Sequence, residues 1–142
     1  MRCMDVMKKD MFVVSPDDTA QTAARRMLNT NVGFLPVVDA TDRVIGVLTD
    51  RDIAVRVAAT DRLASSFPVR EVMTTEIVCC RATDDLSLAE TLMVEHQKSR
   101  ILVTSAEGFL QGVVSLSDIA QYEGARRTGA TVRGVTAREA IW

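Results

Sequence analysis

The chain has one histidine, His96, among its 142 residues, and only 4% of the residues are aromatic. A single histidine excludes a metal site built from several histidines and argues against a Ser-His-Asp hydrolase. Scarce aromatics leave few platforms on which the bases of single-stranded nucleic acid would stack. Charge of one sign is also lacking: Lys and Arg total 17, Asp and Glu total 19, and the net charge is -2 at pH 7. That balance disfavours nucleic acid, which wants a basic face, and a basic helix lying on a membrane. No segment approaches the ~18 consecutive apolar residues of a membrane span. The opening stretch MRCMDVMKKDMFVV is interrupted by Lys8, Lys9 and Asp10, so no apolar run of signal-peptide length is read there. Cysteine is scarce too: Cys3, Cys79 and Cys80 are an odd number with an adjacent pair, which is no disulfide framework. On a strand the adjacent pair points to opposite faces. The cysteines read as small apolar residues of a reduced, cytoplasmic protein, with a redox-sensing Cys79–Cys80 pair as the alternative.

What is present is an ordinary globular composition, 47% hydrophobic and 25% charged. The length suits one domain or two very small ones. An internal repeat decides between these readings. Residues 4–53 lie over residues 70–119 without a gap, an offset of 66 seen in Val6 over Val72. Identical pairs include Met7/Met73, Ala23/Ala89, Met27/Met93, Gly46/Gly112, Asp52/Asp118 and Ile53/Ile119. The organisation is therefore read as a first unit with linker at 1–68, a second unit at 69–123 and a tail at 124–142, all one module. Each repeat has about 50 residues, close to the size at which a lone core is marginal, so the two are expected to fold together.

Each repeat reads as strand, helix, strand, strand, helix. Short apolar strands are expected at Phe12–Val14 and Ile77–Cys80. Ser-Pro-Asp-Asp at 15–18 and Ala-Thr-Asp-Asp at 82–85 carry helix-start residues. Ala20, Ala23, Ala24, Met27 and Leu28 form one apolar helical stripe, and Leu86, Ala89, Leu92 and Met93 form its counterpart. Strands follow at Phe34–Val38 and Val44–Thr49, and again at Arg100–Thr104 and Leu110–Ser115. The last helix of each repeat is expected to start at Asp50 and at Ser117.

Chemistry is concentrated where the last strand hands over to that helix. The two junctions read GVLTDRDI and GVVSLSDI, giving Thr49 with Asp52 and Ser115 with Asp118. A hydroxyl residue followed three positions later by an acid resembles a capping box and needs no ligand. The same geometry presents free N–H groups and partial positive charge to an anion. A carboxylate there can also accept the two hydroxyls of a ribose. The spacing leaves both readings open.

The duplicated unit, with LPVVD at 35–39 and GVLTDRDI at 46–53, resembles a pair of cystathionine-β-synthase (CBS) domains. The resemblance runs from about Met4 to Ile119. It implies an α/β (α+β) fold of two tandem β-α-β-β-α units packed sheet to sheet about a pseudo-twofold. It further implies homodimerisation and clefts between the repeats that take adenosine compounds: AMP, ADP, ATP, NAD or S-adenosylmethionine. Carried over, Thr49 and Asp52 hold ribose in one cleft, Ser115 and Asp118 in the other. Val13 and Cys79 fall at the adenine pocket, with Thr74 as a nearby polar position. Gly33 and Ser99 stand where the ligand approaches closely. Arg51 and Arg100 are phosphate partners, since a guanidinium pairs bidentately with phosphate. The second repeat departs from the pattern, with Ile101-Leu102-Val103 for Leu-Pro-Val and Ser-Leu-Ser-Asp for Thr-Asp-Arg-Asp, so the clefts are expected to differ.

Other candidates are weaker. Asp50 and Asp52 form a D-x-D able to hold Mg²⁺ against phosphate, or a helix first turn. His96 reads as a helix-end dipole partner. Lys8 and Lys9 read as an exposed pair without chemistry. The tail, with Arg126, Arg127, Arg133 and Arg138, either frays or forms an arm whose Trp142 anchors a partner. The expectation is a non-enzymatic regulatory module that reports adenosine-ligand occupancy to a regulated protein. The alternative is a ligand-free dimeric scaffold using its disc face or tail.

Overall fold

The computed structural model describes residues 1–139. Its helices and strands follow the sequence repeat, but its packing units do not. Met11–Ile77 form one unit, and Met1–Asp10 join the chain from Val78 onward to form the other. They are called here the contiguous and the split unit.

In the contiguous unit, α2 (Ala20–Thr30) is capped by Thr19, whose side chain accepts from Thr22 N, and ends at Asn31 in the left-handed region. Two antiparallel strands follow, β1 (Phe34–Val38) and β2 (Val44–Thr49), paired from Phe34 opposite Thr49 with a shift after Val37. Next come α3 (Asp50–Arg56) and, before the unit ends, α4 (Val69–Val72). The core holds Val14, Ala20, Ala23, Met27, Leu35, Val37, Leu48, Val69 and Val72.

The split unit begins with α1 (Cys3–Val6) and resumes at β3 (Cys79–Cys80). It continues through α5 (Leu86–His96), capped by Asp85, and the antiparallel pair β4 (Arg100–Thr104) and β5 (Leu110–Ser115). β3 adds to β4 in parallel, Cys79 opposite Leu102. α6 (Leu116–Tyr122) and α7 (Ala125–Val135) complete it. Its core holds Cys3, Val6, Cys80, Leu86, Ala89, Met93, Ile101, Val103, Val114, Ile119 and Val135.

Several expectations need correction. The Phe12–Val14 strand contracts to a single bridge of Val14 with Val37. Only Val14 has both backbone groups on β1, to the Pro36 carbonyl and the Val38 N–H, while the Val13 carbonyl accepts from Arg26. Ser15–Asp18 form a turn before α2, with Asp18 accepting from Ser15 N and Ser15 from Asp17 N, a competing use of short polar side chains. Leu28 is 80% exposed, because the face that packs is Ala20, Ala23 and Met27. The last helix of the split unit starts at Leu116 and not Ser117, because Ser115 is its cap.

The tail also departs from the frayed reading. Residues 125–135 are helical and pack on α5. Thr131 Oγ1 donates to Glu90 Oε2 at 2.7 Å, and Arg127 pairs with Glu90 Oε1 at 3.0 Å. A Cβ on Gly134 would lie 2.7 Å from both Val94 methyls, so glycine permits the approach. The buried Glu90 carboxylate thus has its partners on the stretch read as a tail. Ile141 and Trp142 of the expected docking arm lie outside the described residues.

Each unit is closed by a segment that opens a repeat in the sequence. Val47 and Thr74 exchange backbone hydrogen bonds at 2.9 Å, and Lys8 and Val113 do so at 2.9 and 3.0 Å. Both contacts lie beside a glycine. A Cβ on Gly46 would stand 2.7 Å from Met73 Sδ and 2.9 Å from the Thr74 carbonyl oxygen. On Gly112 it would stand 2.7 Å from Met7 Sδ and 3.0 Å from the Lys8 carbonyl oxygen. Gly46→Ala and Gly112→Ala should each cost about 1–3 kcal/mol in urea denaturation, as overpacking against backbone does. Gly129→Ala, in α7 with nothing within 4 Å of the new Cβ, should instead stabilise by up to about 1 kcal/mol.

Candidate functional site

In the contiguous unit, β2 ends at Thr49 and α3 begins one residue later. Thr49 Oγ1 accepts from Asp52 N at 3.1 Å, and Asp52 Oδ2 accepts from Thr49 N at 3.0 Å, closing a capping box. The other carboxylate oxygen, Oδ1, stands 3.7 Å from the Arg56 guanidinium. Arg56 is tethered in turn by donating to the Val72 carbonyl at 2.7 Å. Gly33 approaches the junction closely: its carbonyl accepts from Asp50 N at 3.0 Å, and a Cβ there would fall 2.6 Å from Asp50 Oδ2. Arg51 is exposed on the first turn of α3. Thr74, half-buried, is bonded to Val47, two residues before Thr49. Val13, half-buried, precedes the bridge that joins Val14 to β1.

The split unit repeats this arrangement with different electrostatics. Ser115 Oγ accepts from Asp118 N at 3.1 Å, and Asp118 Oδ2 accepts from Ser115 N at 2.9 Å. Ser115 Oγ and Asp118 Oδ2 are also 2.6 Å apart, and Ser117 Oγ lies 2.8 Å from Ser115 Oγ. Asp118 Oδ1 forms an ion pair with Lys8 Nζ at 3.2 Å. The Asp118 side chain is 8% exposed and that of Lys8 is 68% exposed, so the cation covers the carboxylate from the solvent side. Burial opposes ionisation of Asp118, but hydrogen bonds from Ser115 and the Lys8 ammonium outweigh it and hold the carboxyl below its usual range. The Ser99 carbonyl accepts from Leu116 N at 2.8 Å, the counterpart of Gly33 with Asp50. Beside it is a hollow of about 400 Å³, lined by Ser99, Arg100, Ser115, Leu116, Ser117, Ala120 and Val132. Arg100 is exposed at the start of β4, opposite Ser115. Cys79 is half-buried on β3.

The candidates therefore divide cleanly. Val13, Gly33, Thr49, Arg51, Asp52 and Thr74 belong to the contiguous unit, and Cys79, Ser99, Arg100, Ser115 and Asp118 to the split unit. Two residues escaped the sequence reading. Lys8 reads from the sequence as an exposed cation, yet the repeat offset places it over Thr74. Arg56 lies one helical turn after Asp52, a spacing at which opposite charges meet. Among the described residues no group of three or more His, Cys, Asp or Glu is placed to hold an ion.

The depressed carboxyl of Asp118 makes a pH-dependent prediction. Its ionisation stabilises the fold fully above the unfolded carboxylate range, and that contribution is lost as pH falls through the lower folded value. The stability gap between the wild type and Asp118→Asn should hold constant from about pH 7 to about pH 5 and shrink below about pH 4. Denaturant titrations across that range check this, and a gap independent of pH would contradict it.

The CBS domain family model matches residues 3–59 and 69–124. The CBS domain-containing protein YhcV of Bacillus subtilis is 41% identical over 116 residues, covering 82% of this chain and 81% of that protein. Hypoxic response protein 1 of Mycobacterium tuberculosis is 31% identical over 118 residues, 83% of this chain and 82% of its own length. A solved CBS domain protein from Pyrobaculum aerophilum, complexed with AMP, superposes with a TM-score of 0.77 at 22% identity, covering 88% of this chain and 94% of that one. The helices, hairpins and twin junctions described above are thus the mixed α/β architecture of a CBS pair, and this chain belongs to the CBS domain family.

Proposed function

We propose that the protein is a regulatory module that binds an adenosine-containing ligand at its strand-to-helix junctions and reports occupancy to a partner protein. One observation carries this reading. At each junction one carboxylate oxygen is consumed by the capping box while the other is met only by the cation of a long side chain. A cap alone explains the first oxygen. The second, on Asp52 or Asp118, is an acceptor that a ribose hydroxyl pair can take by displacing the cation.

The other residues have roles consistent with this. Thr49 and Ser115 hold the carboxylates in place and offer a hydroxyl of their own. Arg51 and Arg100, exposed beside the junctions, suit a phosphate. Lys8 and Arg56, once displaced, remain within reach of one. Gly33 and Ser99 bring backbone close to the helix starts, and Val13, Thr74 and Cys79 are the residues that the family pattern places near adenine. The AMP carried by the Pyrobaculum aerophilum protein supports the ligand class. AMP, ADP, ATP, NAD and S-adenosylmethionine all share the adenosine group, and Mg²⁺ accompanies a polyphosphate. No reaction is assigned to the site. Transmission follows if the ligand binds one conformation of the module better than another, which a partner reads as altered affinity. The reading places the protein in the cytoplasm as a homodimer.

A ligand-free scaffold is the second reading, favoured by the fact that both capping boxes close without a ligand. Calorimetric titration of AMP, ADP, ATP, NAD and S-adenosylmethionine separates the two. The wild type should bind at least one of them. Asp52→Ala and Asp118→Ala should each weaken one site by roughly ten- to a hundredfold, the worth of hydrogen bonds to a charged group. Binding of none by the wild type would leave the scaffold, and unchanged affinities in both variants would remove the residue assignment.

A further inference from the structure

The fold brings together two cysteines that are 77 positions apart in the sequence. Cys3 on α1 and Cys80 on β3 both lie in the core of the split unit, 0% and 3% exposed. The Cys80 thiol donates to the Cys3 sulfur at 3.5 Å. A disulfide needs about 2.05 Å, so closure asks the two sulfurs to approach by roughly 1.5 Å. Cys79, the neighbour that the sequence offers as the partner of Cys80, is only half-buried and sits one residue along an extended strand, where side chains alternate faces.

The repeat supplies an internal control. The offset that relates the two halves places Val69 over Cys3 and Val14 over Cys80. Val14 and Val69 are both buried in the contiguous unit, and Val69 N donates to the Asp18 carbonyl just as Cys3 N donates to that of Asp84. The place is thus satisfied by two aliphatic residues, and packing alone does not call for two thiols. No metal explains them either, since no cluster of three such ligands occurs among the described residues.

We propose that Cys3 and Cys80 are a thiol–disulfide site, whose oxidation fastens the segment Met1–Asp10 covalently to the rest of the split unit. The oxidant is a low-molecular-weight disulfide. Cys3 is the attacking group: the hydrogen bond from Cys80 lowers its pKa despite burial and the nearby Asp84 and Asp85, whereas Cys80 is held up by that same bond and by burial. The Cys3 thiolate attacks one sulfur of the reagent, whose S–S bond breaks and releases one thiolate. Cys80 gives its proton to that leaving group, attacks Cys3 sulfur and expels the second thiolate, which takes up from solvent the proton that Cys3 released on ionising. The protein loses two electrons and two protons, and the reagent ends as two thiols. Access comes from local opening of the short segment, which is held by backbone bonds such as Cys3 N to Asp84 O and Met4 N to Ala82 O, each 2.9 Å. The bridge closes a loop that contains the whole contiguous unit, and long loops are those whose closure most restricts the unfolded chain. It also pins the segment that carries Lys8 to Asp118.

The test uses the full chain, folded, treated with oxidised glutathione and then alkylated. Intact mass and a non-reducing peptide map should show loss of two hydrogens and a Cys3–Cys80 linked peptide pair, in the wild type and in Cys79→Ser alike. Tm should rise on the order of 10 °C and return on adding dithiothreitol. Cys3→Val and Cys80→Val, which copy the twin unit and should fold, should show neither the bridge nor the reversible rise. The proposal is overturned by a Cys79–Cys80 bridge or by glutathione adducts without an internal bridge. It is equally overturned if Cys3 and Cys80 stay alkylatable in the folded protein while the same reagent oxidises the urea-unfolded chain.

Discussion

The structure depends on a backbone contact that a single methyl group would obstruct. At Gly46 and Gly112 the second strand of each hairpin meets the segment that opens a repeat, and the carbonyl of Thr74 or Lys8 comes within 3.0 Å of where a Cβ would stand. Those contacts satisfy Val47 and Val113, which otherwise have free edge groups. They also explain how the packing units come to be composed. Each hairpin needs a closing segment, and the one that closes the second repeat is Met1–Asp10.

That closure fixes the character of the two junctions. Lys8 and Thr74 are equivalent in the repeat, and each is paired next to a strand that ends in a capping box. In the split unit the side chain at this place is a cation, and it sits on Asp118 at 3.2 Å. In the contiguous unit it is a threonine, and the charge facing Asp52 comes from Arg56 along the same helix. Tyr122 occupies the place of Arg56 in the second repeat, so the two halves exchange the source of the cation and keep the carboxylate. The junctions share a scaffold and differ in how firmly the counter-charge is held: Arg56 is anchored on the Val72 carbonyl, while Lys8 is largely exposed.

Much of this was legible in the chain. The gapless offset gave both hairpins their bounds, since Phe34–Val38, Val44–Thr49, Arg100–Thr104 and Leu110–Ser115 are apolar runs separated by polar turns. The capping boxes were legible because their four residues are local. What failed was non-local. Leu28 belongs to a helical stripe by spacing, but spacing does not say how wide a face the neighbours cover, and it is left exposed. Phe12–Val14 has strand composition, but a strand needs partners, and only Val14 finds them. The stretch 125–135 has little apolar content, and its helix is held by Glu90, a residue on another element that composition marks as surface.

The sequence by itself determined the duplication, the identity of the strand-to-helix junctions and the residues at their caps. These follow from periodicity and from hydrogen bonds between residues three apart, which involve no distant partner. The tertiary structure alone decided which segment closes which hairpin, that Lys8 lies on Asp118, and that Cys80 faces Cys3 and not its neighbour Cys79. Such pairings join residues far apart in the chain, and the closure of the chain that brings them together is encoded in no local pattern.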